Sequence, residues 1–369
     1  MTVSTALPSL DHAVVADPRP DRPRVTELRL SAFAGHRRAR FPLGPLTLFT
    51  GPSGSGKSRA LQAYEALARL GGGAELGEAF PAPSACVPER TRADGRRRGF
   101  RIGCTADGPE GPVRLDIAVQ AEPELRVVGE RLTSGGLVLL ETALRDPGRA
   151  VVQAAWHTAG SSPVTRGPLP DDRLGTALLP LRVAGKTDGQ RRVLAAAEQM
   201  VVALRSVFAC DPDPREMRAP VPLGAGRLLP GCGNLAEVLW RTRAECGRRH
   251  GLLTAAVRAG CAGEVVDLLA EPLGDGTVHS LLDRGDGRRM PLELLGDGEL
   301  RYVALALVLL TGPGVLEVDP AGEVPAALQT LTVLADGFDR CLDRRQAREL
   351  LQLAARMCER GHIGLVGAV

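Results

Sequence analysis

Length, composition and charge already exclude several classes of protein. The chain has 369 residues and a formal net charge of +3, which allows one large domain or two ordinary ones but does not by itself indicate nucleic-acid binding. Its eight cysteines form no C-x-x-C pair and have no histidine at zinc spacing. No apolar run approaches the roughly 20 residues of a membrane span, and no secretion signal opens the chain. The sequence therefore predicts a soluble, cytoplasmic protein without a membrane partner.

The first 80 residues predict a tail followed by an α/β unit. Residues 1–24 contain four prolines and no apolar period, which predicts a disordered tail. Alternation over 27–33 and the apolar run 46–50 predict a β-hairpin-like opening that leads into a strand. A helical period over 59–70 predicts a helix, which the three glycines at 71–73 would end.

The middle and the end of the chain predict β structure, then helices, then a second α/β region. Short β-type runs separated by turn residues indicate an antiparallel arm over 100–160, and 158–173 predicts a loop. Helical periods over 190–208 and 234–249 indicate a helical insert. Further predicted elements are strands at 277–282, 315–319, 331–335 and 363–366, a buried helix at 302–310 and an amphipathic helix at 344–356.

The strongest motif is a G-x-x-x-x-G-K-[ST] match between the predicted strand 46–50 and the predicted helix 59–70. Its residues are Gly51, Pro52, Ser53, Gly54, Ser55, Gly56, Lys57 and Ser58. In this setting the glycines let backbone N–H groups converge on phosphate oxygens at a helix N-terminus. Lys57 would reach the β and γ phosphates, and the Ser58 hydroxyl would hold Mg²⁺. Only Lys57 and Lys186 are lysines among the 46 basic residues, which favours a specific role for Lys57.

Two later segments predict the other parts of a phosphate site. A glycine-rich turn, Gly296, Asp297, Gly298 and Glu299, opens the buried helix and could bind phosphate through its amides, although such residues also simply cap helices. An acidic residue that ends an apolar strand can bind Mg²⁺ opposite a phosphate loop. Asp336 is favoured for this role because a helix follows it, and Asp319 is the alternative.

With these pieces placed, the chain resembles the RecF/SMC-like group of ABC-type ATPase heads, which are often described as AAA-family ATPases. The resemblance spans about 26–369. The matching segments are the opening strand 27–33, the run 44–58 into the Walker A loop, the arm strand 128–132, the segments 212–218 and 233–236, the signature turn 295–301 and the Walker B strand with its D-loop, 331–343.

The resemblance implies a P-loop NTPase fold, in which a mixed α/β sheet flanked by helices carries an inserted antiparallel β arm and a helical subdomain. A single ATPase head would cover 25–369, with a Walker A lobe at 25–80, the β-rich arm at 100–160, the helical insert at 188–275 and the signature and Walker B lobe at 277–369. ATP and Mg²⁺ would be the cofactors. Ser58 and Asp336 would place the metal, and the turn 296–299 would contact the nucleotide of a facing subunit.

The chain departs from the family at three positions that matter for hydrolysis. Gly337 stands where a glutamate usually polarises the attacking water, and Gly296 stands where a serine usually meets the γ-phosphate. The switch histidine expected after the last strand is missing, and His362 precedes that strand. Asp339 could replace the lost base. We therefore expect ATP binding with slow or lost hydrolysis.

Three functions follow from these observations. The leading hypothesis is an ATP-binding protein that dimerises around two nucleotides, with DNA and a separately encoded effector such as a nuclease as partners implied by the family's roles in DNA repair and defence. A pseudo-ATPase scaffold, in which ATP only stabilises a complex, is the second. A small-molecule kinase with an arginine-rich lid at 90–101 is the third, but it would leave the β arm and the turn at 295–301 without a role.

Overall fold

The structure, a computed structural model, describes residues 2–4, 22–88, 97–159, 163–224, 226–318, 324–325 and 328–369. Most of the tail predicted over 1–24, most of the proposed lid at 90–101 and the alternative metal ligand Asp319 lie outside these ranges. Two compact units make up the chain. The first contains Met1–Gly44, Thr50–Val207 and Asp319–Thr330, and the second contains Pro45–Phe49, Phe208–Val318 and Leu331–Val369.

The regular elements are numbered in chain order. The strands are β1 Thr2–Ser4, β2 Arg24–Phe33, β3 His36–Pro42, β4 Leu46–Thr50, β5 Arg98–Asp107, β6 Val113–Glu122, β7 Arg126–Ser134, β8 Leu137–Ala143, β9 Val151–His157, β10 Val164–Pro170, β11 Val207–Cys210, β12 Val221–Pro222, β13 Asp267–Pro272, β14 Thr277–Asp283, β15 Arg289–Pro291, β16 Leu331–Ala335 and β17 Ile363–Ala368. The α-helices are α1 Lys57–Gly71, α2 Leu76–Ala79, α3 Gly175–Leu178, α4 Asp188–Arg205, α5 Pro214–Met217, α6 Leu235–Glu245, α7 Gly247–Gly260, α8 Asp297–Leu310 and α9 Arg344–Cys358.

The first unit is built on an antiparallel sheet with the strand order β10-β9-β8-β7-β6-β5-β2-β3. The predicted hairpin opening and antiparallel arm are both part of this sheet. Residues 158–173 are not all loop, because β10 pairs with β9 from Val164 to Pro170. This segment has few apolar side chains, so its sequence shows no strand period. The strand is formed by backbone pairing with β9, which sequence periodicity does not detect. Helix α4 packs against this sheet and against α1.

Residues 188–275, predicted as one helical insert, are divided between the units. Helix α4 belongs to the first unit, where the Thr187 hydroxyl caps it by accepting the N–H of Gln190 at 3.2 Å. The residues from Phe208 onward belong to the second unit and form strands as well as helices.

The second unit has a sheet in which β4, β17, β16 and β11 lie side by side in that order, and β17 pairs in parallel with both β4 and β16. Every residue of β16 and β17 is buried, as expected for parallel strands covered on both faces. A small antiparallel sheet is formed by β12, β14, β13 and β15. The run 315–319 was predicted as a strand, but Leu316 makes only an isolated bridge to Leu228. Burial in the core, and not strand pairing, explains its apolar side chains.

Helix α8 is the centre of the helical part of the second unit. It is buried on all sides from Leu300 to Leu309 and packs against α7 and α9. Gly260 of α7 allows this approach, since a Cβ there would lie 2.1 Å from the ring of Tyr302. None of the helices within the described ranges is both long and apolar enough to cross a bilayer.

Candidate functional site

Residues 51–58, the Walker A candidate, form a tight loop that leads directly into α1. The backbone is left-handed at Gly54, with φ 79°, and at Gly56, with φ 92°. Side chains with a Cβ rarely adopt this conformation, so both positions require glycine. Within the loop, the N–H of Ser55 donates to the carbonyl of Pro52 at 3.1 Å. Gly56 is the N-cap of α1 and Lys57 its first residue, so the loop ends at a helix N-terminus.

Lys57 folds its side chain back over the loop. Its ammonium group donates to the carbonyls of Gly51 at 2.6 Å and Pro52 at 3.3 Å. Both partners are uncharged carbonyl oxygens. Within the described residues, these bonds therefore leave the positive charge of Lys57 unneutralised. No acidic residue lies in the first turn of α1. The N-terminal end of the helix and Lys57 therefore present positive charge at one place.

This set of groups fits an anion with several oxygens, such as a chain of phosphates. Backbone N–H groups, a helix N-terminus and one lysine are the donors that phosphate-binding loops use. The Ser55 hydroxyl is buried without a hydrogen-bond partner. For a divalent cation the described residues contain no group of three or more His, Cys, Asp or Glu side chains. A Mg²⁺ site would thus rely largely on phosphate oxygens and water for its ligands, as Mg²⁺ sites commonly do.

In the second unit Asp336 directly follows β16. Strands β16 and β4 both pair in parallel with β17, on its two sides, and Ala335 lies opposite Gly367 while Phe49 lies opposite Ala368. The carboxyl ends of β4 and β16 are therefore level at one edge of this sheet, which is where α/β folds bind ligands. Asp336 is half-buried there, whereas Asp339, the alternative base, is exposed.

The space beside Gly337, where the resembling family has a glutamate, is occupied by another side chain. Its backbone is left-handed, with φ 59°, and a Cβ there would lie 2.8 Å from Nε and 2.9 Å from Nη2 of Arg340. Arg340 donates from Nη1 to both carboxylate oxygens of Asp211, each at 3.2 Å. A guanidinium thus occupies the space that a side chain at position 337 would use.

Arg301 of α8 joins the same turn to the segment after β11. Its buried guanidinium donates to Asp211 at 3.0 Å, to the carbonyl of Pro212 and to the carbonyl of Gly337 at 3.0 Å. Cys232 lies nearby, and its pKa is raised by a hydrogen bond with Cys210 and by burial, so this thiol stays protonated. Arg301 therefore links α8, the segment after β11 and the turn after β16 within the second unit.

The turn at 296–299, the candidate signature turn, is held by contacts with other segments of the second unit. Arg218 donates to the carbonyls of Glu293 and Leu295, both at 3.1 Å, and to the carboxylate of Asp297 at 2.6 Å. A Cβ at Gly298 would lie 2.2 Å from the carbonyl oxygen of Cys341, in the loop before α9. By contrast, a Cβ at Gly296 would meet nothing within 4 Å. Gly296 is thus the open position of the turn and Gly298 the packed one.

The segments 212–218 and 233–236, which are part of the family resemblance, have structural roles here. Arg218, the last residue of 212–218, positions the candidate signature turn through the bonds just described. The amide of Asn234 donates to the carbonyl of Arg227 at 2.8 Å and accepts from the N–H of Leu229 at 3.0 Å, so it braces the loop before α6. Glu299 accepts from the N–H of Ala262 at 2.8 Å. Sequence reasoning missed Arg340 and Asp211, because only the folded chain brings them together.

Neither a protein-family model nor a curated protein matches the chain. Among solved structures, it is similar to an SMC head crystallised with the C-terminal winged-helix domain of ScpA, at 13% identity and a TM-score of 0.52, covering 94% of this chain and 90% of that one. It is also similar to the SMC head domain from Thermotoga maritima, at 14% identity and a TM-score of 0.44, covering 94% and 88%. The first likeness shows a shared fold, which confirms the expectation from the motifs. The chain therefore has the fold of an SMC head domain, that is, of an ABC-type P-loop ATPase head.

Proposed function

We propose that this protein binds ATP with Mg²⁺ at residues 51–58 and dimerises around the nucleotide, with slow or lost hydrolysis. The observation that carries the proposal is the loop itself. Two left-handed glycines, a helix N-terminus and a lysine that bonds only to loop carbonyls among its described contacts converge between β4 and α1. Bound Mg²⁺ would neutralise charge on the phosphates and fix their orientation.

Ser58 and Asp336 remain the proposed metal ligands. The open position of the signature turn, Gly296, favours a contact in trans, because a residue there can face another molecule without disturbing its own unit. A protein partner is also consistent with the fold, since one of the similar SMC heads is bound to ScpA. DNA and a nuclease stay predictions that rest on the family resemblance alone.

A scaffold without turnover is the second candidate, and one specific observation favours it. The exposed Arg340 lies beside the position from which a glutamate would polarise water, and its guanidinium pairs with Asp211 at 3.2 Å. A cation cannot accept the proton of an attacking water, so this arrangement supports binding without general-base catalysis.

Thermal unfolding with and without Mg-ATP tests nucleotide binding. A ligand at 100 times its Kd stabilises the folded state by about 2.7 kcal/mol, so the melting temperature of the wild type should rise visibly. Lys57→Ala should abolish the shift. Lys186→Ala is the matched control, because Lys186 is exposed and is the other lysine of the chain. A wild-type curve that does not respond to Mg-ATP would contradict the proposal.

A further inference from the structure

His36, the first residue of β3, lies against the phosphate-loop candidate within the first unit. Its imidazole is only 8% exposed and packs edge-on against Phe41, with the ring centroids 5.6 Å apart. The Nε2 atom lies 3.0 Å from the carbonyl oxygen of Gly56. His36 is therefore buried beside the loop.

The approach is close enough to restrict both residues. A Cβ on Gly56 would lie 2.5 Å from Nε2 and 2.7 Å from Cε1 of His36. Gly56 is thus required twice, once for its left-handed backbone and once for the imidazole beside it. Conversely, the missing side chain at position 56 creates the space in which His36 can reach the backbone.

The chemistry of this contact fixes the direction of the hydrogen bond. A carbonyl oxygen only accepts, so Nε2 must carry a hydrogen and donate it to Gly56. The same oxygen also accepts the N–H of Ala60 at 3.0 Å, which is the first bond of α1. His36 therefore adds a second, lateral donor to the carbonyl at the N-cap.

The hydrogen bond from His36 also affects the N–H of Lys57, which belongs to the same peptide group as the Gly56 carbonyl. In a planar trans peptide the C=O and the following N–H point in opposite directions. Holding the Gly56 carbonyl towards His36 and Ala60 aims the Lys57 N–H away from both. That direction is out of the helix N-terminus, where a phosphate would be bound.

We infer that His36 is a positioning residue of the phosphate loop. It locks the peptide between Gly56 and Lys57 in the orientation that offers the Lys57 N–H to a phosphate oxygen, and it does so without touching the nucleotide. The inference rests on the proposed function for its consequence, ATP affinity. The locking of the peptide can be measured without any nucleotide.

The test compares His36→Phe, which keeps an aromatic ring but has no donor, with His36→Gln, whose amide can donate near the place of Nε2. Without nucleotide, amide hydrogen exchange should accelerate in the peptide covering 51–60 in His36→Phe and stay near wild type in His36→Gln. With Mg-ATP, the Kd measured by calorimetry should rise about 3- to 10-fold in His36→Phe, the value of one hydrogen bond, and recover in His36→Gln.

Phe41→Leu is the matched control, because it weakens the packing on His36 but keeps both partners of the hydrogen bond. It should lower the melting temperature and leave the ATP Kd within about twofold. If His36→Phe does not fold, His36→Met gives the same comparison with a flexible apolar side chain. The inference would be overturned if the donor-free variant kept the amide exchange rate and the ATP Kd of the wild type. It would also be overturned if His36→Gln weakened ATP binding and accelerated exchange as much as the donor-free variant does. A wild type that does not bind ATP would instead overturn the proposed function, while the exchange measurement still decides the role of His36.

Discussion

The guanidinium of Arg340 lies over Gly337, so that a Cβ built on the glycine would be 2.8 Å from Nε of the arginine. This contact changes how the missing glutamate should be tested. A glutamate at 337 would have to adopt a left-handed backbone, which costs roughly 1–2 kcal/mol, and its carboxylate would pair with Arg340. A glutamate at 337 therefore meets a backbone cost and a neighbouring cation, and the arginine has to move for it to fit.

We expect turnover to be very slow in the wild type and to stay slow in Gly337→Glu. The double variant Gly337→Glu/Arg340→Ala should be faster, by part of the roughly 10²- to 10⁴-fold that a general base commonly contributes. Steady-state phosphate release checks this, with Arg340→Ala alone as the control. Wild-type turnover of about 1 per second or more, which is typical of active enzymes, would show that the site is not degenerate. In that case a large loss in Asp339→Asn would identify Asp339 as the base.

Dimerisation should depend on ATP and on the signature turn. Gly296→Trp should block the ATP-dependent dimer and leave the melting temperature and ATP binding intact, because a side chain at 296 meets nothing within 4 Å in its own unit. A tryptophan at Gly298 would not separate these effects, since it would collide with the D-loop carbonyl of Cys341. Light scattering after size exclusion measures the mass. Gly274→Trp, at another open glycine in the turn between β13 and β14, should still dimerise. A dimer that forms without ATP would contradict the model of nucleotide-driven association.

Removing Mg²⁺ should weaken the stabilisation by ATP. Asp336→Asn should raise the MgCl2 concentration needed for half of the melting-temperature shift by about 10- to 100-fold, the usual cost of losing a residue that orients a bound metal. Asp339→Asn, three residues further along and exposed, is the control and should behave like wild type. An Asp336→Asn protein with an unchanged MgCl2 dependence would leave Asp319 as the better candidate.

The burial of Glu130 predicts that the stability of the first unit depends on pH. Burial raises the pKa of Glu130 above its usual value of 4.5, although the Thr176 hydroxyl and the N–H groups of Thr176 and Gly175 donate to the carboxylate and act in the opposite direction. Glu130→Gln should destabilise the protein by about 1–3 kcal/mol at pH 7, because an amide nitrogen cannot accept from these buried donors.

The sign of the pH effect follows from the raised pKa. Protonation of Glu130 favours the folded state, so the wild type gains stability as the pH falls through the folded-state pKa towards 4.5. The advantage of wild type over Glu130→Gln in urea unfolding should therefore be larger at pH 5 than at pH 7. An advantage that shrinks on acidification would mean that the hydrogen bonds to the carboxylate outweigh its burial.

The sequence by itself determined the local elements that carry a strong pattern. It located the loop 51–58 from spacing alone, the helix that follows it, and the strand 331–335 with the bounds the structure has. These features depend on residues within one or two turns of each other, because helix and strand periods and the backbone freedom of glycine are properties of short segments. It missed β10, which has little apolar pattern, and it took 315–319 for a strand because Val315, Leu316 and Val318, which are buried, gave it an apolar pattern.

Only the tertiary structure decided which distant side chains surround the site. His36 is 20 residues from Gly56, and Arg340 is 129 residues from Asp211. No period links such pairs, because their contact depends on strand order and on how loops close, which local propensity does not encode. The sequence showed Gly337 where the family resemblance led us to expect a glutamate. The tertiary structure showed that the guanidinium of Arg340 lies beside this glycine.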